Sequence, residues 1–258
     1  MQVTIIGSGN IATVLGSIFV AKGHTIHQVW SRHYNHAVAL AKELAAIPVP
    51  HLAGLDANAD LYLLAVTDDA IETVAAQLSL GDKLLVHTAG SVSKEVLKGA
   101  SSVYGVLWPM RMVRKSMTTI EPVTIVVDGS SESVTREIET IAAVFSPMIT
   151  RADDAMRGKM HMLAAFTANF SNHLYHLAFQ YCQSENIDFS LFYPIIRETA
   201  GAIQHQDPAS LQAGPAFRGD RQTMERQIIL LEKYPHLQQM YRLMSRSIMQ
   251  LNEIDQQS

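Results

Sequence analysis

Cysteine is almost absent: Cys182 is the single one in 258 residues. That excludes an intrachain disulfide and a cysteine-based metal site, and it suits a reducing cytosol. An excess of charge is missing too. Residues 1–150 hold ten basic and thirteen acidic residues, and 151–258 hold ten and eleven. Neither part is polybasic, so a nucleic-acid or membrane-surface role has no electrostatic footing. No basic segment precedes the apolar start, which Gly7-Ser8-Gly9-Asn10 soon interrupts. A secretory signal is therefore not expected, and a cytoplasmic location is. The longest uncharged helical stretch, 160–184, is 25 residues long but contains His161, Asn169, Asn172, His173, His176 and Gln180. Lipid would penalise those groups, so a buried helix is expected rather than a membrane span. With 48% hydrophobic and 17% charged residues, the chain can bury a sizeable core.

The first part of the chain alternates between two periods. Short β-branched runs at Gln2–Ile6, Thr25–Trp30, Asp60–Val66, Lys83–Thr88, Val103–Leu107, Val123–Val127 and Met148–Thr150 read as strands. A weaker one falls near Ile47–Val49, interrupted by prolines. Helical patterns separate them at Ala12–Lys22, Asn35–Ala46, Asp68–Gln77, Ser93–Lys98 and Ser133–Phe145. This alternation predicts an α/β domain with a mainly parallel, doubly wound sheet of the Rossmann type. After Arg151 no strand pattern recurs. Asp153–Asn186, Ser190–His205, Thr223–Lys233 and Gln238–Ile254 read as helices, so residues 152–258 are expected to form an all-α domain behind an α/β domain of residues 1–151.

Gly7-Ser8-Gly9-Asn10-Ile11-Ala12 stands between the first strand and the first helix. There the first glycine permits the tight turn, the second admits a pyrophosphate to the backbone, and Ala12 allows close helix–sheet packing. The phosphates would sit on free N–H groups at the helix N-terminus. The second strand sharpens the expectation. A carboxylate is usually found there for the ribose 2′-hydroxyl of NAD. No acidic residue precedes Glu43, and the strand ends on Ser31-Arg32 instead. A hydroxyl and a guanidinium suit a 2′-phosphate, which favours NADP. Val66 and Thr67 after the next strand are expected to touch the cofactor, with helix capping a competing role for Thr67 and Asp68. His87 and Thr88 are expected at the nicotinamide end, against the plainer alternative of a structural histidine.

In the helical part, His161 and Asn169 lie on a polar stripe and are expected to line a cleft between the domains. His173 and His176 stand three apart, but no third ligand clusters with them, so no metal is expected. Gly214-Pro215 and Arg218-Gly219-Asp220 make a defined loop, for which an Arg218–Asp220 pairing capping the next helix is the favoured role.

On these motifs, together with Ala59-Asp60-Leu61 and His87-Thr88-Ala89-Gly90-Ser91, the chain resembles the Rossmann-like NADP oxidoreductases whose C-terminal part is the domain of unknown function 2520. These lie within the superfamily of 6-phosphogluconate dehydrogenase-like and pyrroline-5-carboxylate reductase-like proteins. The resemblance covers nearly the whole chain. Departures are Met160 where the pattern has tyrosine and Ala89 where it has serine. Lys159 and Asn169 are ten residues apart, so the lysine–asparagine pair of β-hydroxyacid dehydrogenases is not reproduced.

The expected activity is hydride transfer from NADPH to a small C=O or C=N substrate. His161, whose residue type titrates near neutrality, would serve as proton donor and Asn169 would orient it or the substrate. Arg111, after the sixth strand, is a candidate for an anionic group. The alternatives are a non-catalytic NADP sensor or structural dimer, and an oxidoreductase working with a deazaflavin-type partner. A homodimer through the helical domain is expected, because a charge-free helix with both faces apolar or amide-lined needs more cover than about a hundred residues supply.

Overall fold

A computed structural model describes residues 1–255, with side chains through residue 252. Eight strands form one sheet: β1 Gln2–Ile6, β2 Thr25–Trp30, β3 Ile47–Val49, β4 Leu61–Leu64, β5 Leu84–His87, β6 Tyr104–Pro109, β7 Ile125–Gly129 and β8 Ile149–Arg151. Their order is β3-β2-β1-β4-β5-β6-β7-β8. The pairs from β3 to β6 are parallel, β7 runs antiparallel to β6, and β8 is parallel to β7. The chain order reverses direction between β1 and β4. That reversal opens a crevice beyond the carboxyl ends of the strands, where such sheets bind ligands.

Helices α1 Asn10–Ala21, α2 Tyr34–Glu43, α3 Ile71–Ala75, α4 Glu132–Ala142 and α5 Asp154–Ala164 accompany the sheet. Two apolar clusters cover its two sides. One joins Val3, Ile5, Leu15, Phe19, Val29 and Phe145, the other Ile6, Tyr62, Leu64, Ile71 and Leu85. Neighbours Ile5 and Ile6 fall in different clusters, as the two-residue period of a strand requires. The weak expectation at Ile47–Val49 is met because β3 is an edge strand, where a proline loses no ladder bond. The helix expected over Ser93–Lys98 is a 3₁₀ turn at Lys94–Leu97, and the one over Asp68–Gln77 is a 3₁₀ turn followed by the five-residue α3.

The chain divides into two compact units, Met1–Ala168 and Asn169–Ser258, rather than at 151/152. The physical reason lies in α5. Its Arg157 is 1% exposed within the first unit, and its Met160 packs on the small cluster of Val106, Trp108, Val126 and Ala152. The single helix expected over Asp153–Asn186 is α5, a π-helical stretch Ala165–Phe170, and α6 Ser171–Ser184. The second unit continues with α7 Tyr193–Ala202, α8 Arg221–Leu230 and α9 Pro235–Asp255, and it contains no strand among the described residues. Asp220 caps α8, its carboxylate accepting from the Thr223 N–H at 3.1 Å. The Thr223 side chain first and its N–H second hold the Asp220 carboxyl below the usual range. The cap is thus confirmed, without an Arg218–Asp220 ion pair among the described residues.

Candidate active site

The crevice at the strand reversal encloses about 690 Å³ and is lined from three strand ends. Gly7–Ile11 follow β1, Trp30–His33 end β2, and Ala65–Thr67 follow β4. Gly7 has φ +130°, and a Cβ there would run into the Ala65 carbonyl, so glycine is required where the β1 turn passes β4. Its N–H donates to the Trp30 carbonyl at 2.7 Å, which joins the turn to β2. Gly9 has nothing within 4 Å of a Cβ position, which leaves backbone open to an approaching group. It also precedes α1 without any side-chain cap, and the first turn carries no acidic residue. That helix end can receive a pyrophosphate on its N–H groups. Ala12 is fully buried and serves packing rather than contact.

At the end of β2, the Ser31 hydroxyl lies 2.7 Å from that of Ser8. Arg32 is exposed and has no hydrogen bond or ion pair among the described residues, so its guanidinium is available to a phosphate. Val66 and Thr67 line the crevice. Thr67 precedes the 3₁₀ turn Asp68–Ala70 but its hydroxyl makes no cap. Asp68 instead accepts from the Ser91 hydroxyl, joining the loops after β4 and β5.

The sequence reading missed several lining groups: Trp30, His33, His36, Ala70, Val74 and Val113. His36 was legible in principle, because it lies in the first turn of the helix that follows the Ser31-Arg32 strand end. Val113 was not. It arrives on the loop after β6 and is held by Asn10, whose side-chain amide donates to the Val113 carbonyl at 3.0 Å. Arg111 also lines the crevice, but its guanidinium is engaged with the Ile120 carbonyl at 2.6 Å. It braces its own loop.

His87 and Thr88 do not line this crevice. His87 is fully buried, and its Nδ1 accepts from the Ala89 N–H at 3.2 Å. Burial pushes its pKa down to about 4, and the nearby Arg157 charge acts in the same direction. A neutral, enclosed imidazole is a structural group, which is the plainer of the two readings of this position.

A second constellation stands around α5. The rings of His161 and Trp108 have centroids 5.5 Å apart, tilted by 54°. Gly90 lies against both: a Cβ there would be 2.5 Å from His161 Cδ2 and 2.7 Å from Trp108 Cε2. His161 is exposed, and Trp108 is held in the sheet. One turn before His161, Arg157 donates to the Val92 carbonyl and to Asp154 Oδ1, the latter at 2.6 Å. Asp154 also accepts from the Ser93 hydroxyl, and Lys94 pairs with Asp128 at 2.7 Å. Partial burial alone pushes the Asp154 carboxyl up, but Ser93 and Arg157 outweigh it and hold the group below its ordinary value. This network fastens α5 to the loop after β5 and so sets the position of His161. Asn169, in the π-helical stretch, is exposed and begins the second unit. His173 and His176 have ring centroids 6.5 Å apart. No group of three His, Cys, Asp or Glu among the described residues could hold a metal ion. No described helix is long and apolar enough to cross a membrane.

Residues 2–90 match the family described as NADP oxidoreductase coenzyme F420-dependent, and residues 123–248 match the domain of unknown function DUF2520. No curated protein matches significantly. Among solved structures, a Bacteroides fragilis protein assigned as an NADP oxidoreductase is 32% identical, with a TM-score of 0.88. The match covers 96% of this chain and 98% of that one. Two further structures share the fold at lower identity. One is an imine reductase from Myxococcus stipitatus in complex with NADP+ (15% identity, TM-score 0.66, covering 98% and 93%). The other is a reductive aminase from Aspergillus terreus in complex with NADPH and ethyl-5-oxohexanoate (19%, 0.66, 98% and 92%). The glycine turn, the open helix end and the free Arg32 fit NADP as cofactor, and the chain belongs to the family of NADP oxidoreductases that carry the DUF2520 domain.

Proposed function

We propose that this oxidoreductase reduces a small C=O or C=N compound beside the Trp108–His161 pair. The supporting observation is that an exposed imidazole is held against an aromatic wall by a glycine and a buried arginine network, in the same compact unit as the cofactor crevice. NADPH, when bound, supplies the hydride to the substrate carbon. As that carbon–heteroatom π bond breaks, negative charge develops on the oxygen or nitrogen, and His161 donates the proton that neutralises it. Trp108 closes one side of the substrate space and limits water. Gly7–Ile11 hold the pyrophosphate, Ser31 and Arg32 the 2′-phosphate, and Val66 and Thr67 the adjoining ribose through backbone.

The test is NADPH oxidation, followed by loss of reduced-nicotinamide absorbance, across imines, 2-keto acids and ketones. Turnover that disappears in His161→Ala while NADP affinity persists is the expected result. Silence across the panel despite tight NADP binding would sink this reading. The F420-dependent family match over residues 2–90 favours a second reading, in which a deazaflavin is the hydride partner. Turnover only when that deazaflavin is added would select it.

We also infer a homodimer through the helical unit. Among the described residues from 169 onward, Cys182, Ala216, Met224 and Leu231 are the buried apolar ones, while Leu191, Ile195, Ile229, Leu230, Leu243 and Leu251 are exposed. A unit with so little interior of its own gains most from a second copy. Light scattering at micromolar concentration, with a mass twice 28.5 kDa expected, tests it.

A further inference from the structure

Two imidazoles share the end of β2 with Arg32. His33 ends the turn before α2 and His36 sits in that helix's first turn, with ring centroids 5.3 Å apart in an edge-on arrangement. Both side chains are exposed, and both line the same crevice as Ser31 and Arg32. No acidic residue stands in the first turn of α2, and no side chain caps it. The charged groups around the pair are Arg32 and Arg111 in the crevice, with Glu43 and Lys115 in a smaller adjoining pocket that His36 also lines. Arg111 is engaged with the Ile120 carbonyl. Glu43 is the one carboxylate among these, and it stands two helical turns beyond His36.

From this placement we propose that His33 and His36 form, with Ser31 and Arg32, a cage for the 2′-phosphate whose strength is set by pH, so that discrimination between NADP and NAD rises as the imidazoles take up protons. The proposal rests on the assignment of the 2′-phosphate to Ser31 and Arg32.

The chemistry follows from charge. Arg32 is cationic at every relevant pH and supplies a constant attraction for the phosphate. An imidazole changes charge in the range between about pH 5 and 8, and a phosphomonoester carries most of its second negative charge above about pH 6. Near pH 6 to 7 a dianionic phosphate and an imidazolium can therefore coexist, each favouring the charged form of the other. NAD has no phosphate at this position, so its affinity should not follow the same titration. The site would then select NADP through one permanent and two conditional cations.

The experiment measures Kd for 2′,5′-ADP and 5′-AMP, and for NADP and NAD, by calorimetry between pH 6 and 8. Wild type is compared with His33→Gln/His36→Gln, and with Arg32→Ala. In wild type the NADP-over-NAD ratio is expected to grow about five- to tenfold from pH 8 to pH 6, the scale of one net hydrogen bond. In the double glutamine variant the growth should collapse to the residual slope of the phosphate's own titration. Equal slopes in wild type and double variant would overturn the proposal. The underlying assignment fails differently: Arg32→Ala would then leave the ratio unchanged at pH 8. Both glutamines replace exposed side chains, and unchanged 5′-AMP affinity reports an intact site.

Discussion

Gly90 lies against His161, close enough that a methyl group on its Cα would stand 2.5 Å from the imidazole Cδ2. The loop after β5 and helix α5 thus share a space that only a residue without a side chain leaves open. Trp108 occupies the remaining side. A histidine so enclosed on two sides has its ring position set by sheet and helix together.

Gly90→Ala should consequently displace His161 or Trp108. Displacing a catalytic group by about an ångström costs on the order of a hundredfold in rate. The expected outcome is a kcat reduced to about that extent, with NADP affinity changed less than about twofold. Steady-state kinetics beside calorimetry check both halves. An unchanged kcat in Gly90→Ala, together with an unchanged kcat in His161→Ala, would remove His161 from the reaction.

Arg32→Ala should abolish most of the preference for NADP. A charge-assisted phosphate contact sustains at least about tenfold, or about 1.4 kcal/mol, between the two cofactors. Titrations with NADP and NAD at pH 8 measure it.

The buried Arg157 predicts a stability effect. Its substitution by Leu leaves Asp154 without its guanidinium partner, with Asp128 losing a charge 3.9 Å away. Arg157 is buried but Asp154 is 34% exposed and keeps its bond from Ser93, so solvent screens part of the loss and the cost is about 1–2 kcal/mol. Urea unfolding of Arg157→Leu should show that loss, and adding Asp154→Asn should restore part of it. Loss without any recovery in the double variant would argue that packing, not charge, holds α5.

His87 makes stability depend on acid. Its folded pKa of about 4 lies below the ordinary histidine value, so between these values the unfolded chain binds a proton that the native chain refuses. Stability therefore rises with pH through this window and is lost as pH falls below about 6.5, by at most roughly 3 kcal/mol from this group. An imidazole resonance that stays neutral down to about pH 5 checks the shift. Its titration near 6.5 would show that His87 is not enclosed.

The Rossmann sheet and the NADP cofactor were legible in the sequence because each depends on local order. Strand period, glycine turn and the residues ending β2 are all adjacent in the chain, so spacing alone reports them. His87 could be read as either a site group or a structural one for the opposite reason. A strand end in sequence does not say whether a side chain meets solvent or Arg157, and only the packing of α5 against the loop after β5 decides that. The same packing moved the unit boundary past Ala164, since one buried arginine ties α5 to the loop after β5, 65 positions earlier in the chain.

Tertiary structure alone brought Val113 over α1, turned Arg111 toward Ile120, and set Trp108 beside His161. None of these pairs shares a period or a motif, because contacts between distant segments leave no local pattern. The sequence by itself determined which groups are available: a glycine turn, a free guanidinium, and no carboxylate before Glu43. The fold decided which of them meet, because burial and close approach depend on how separate elements stack, and that depends on the whole core at once.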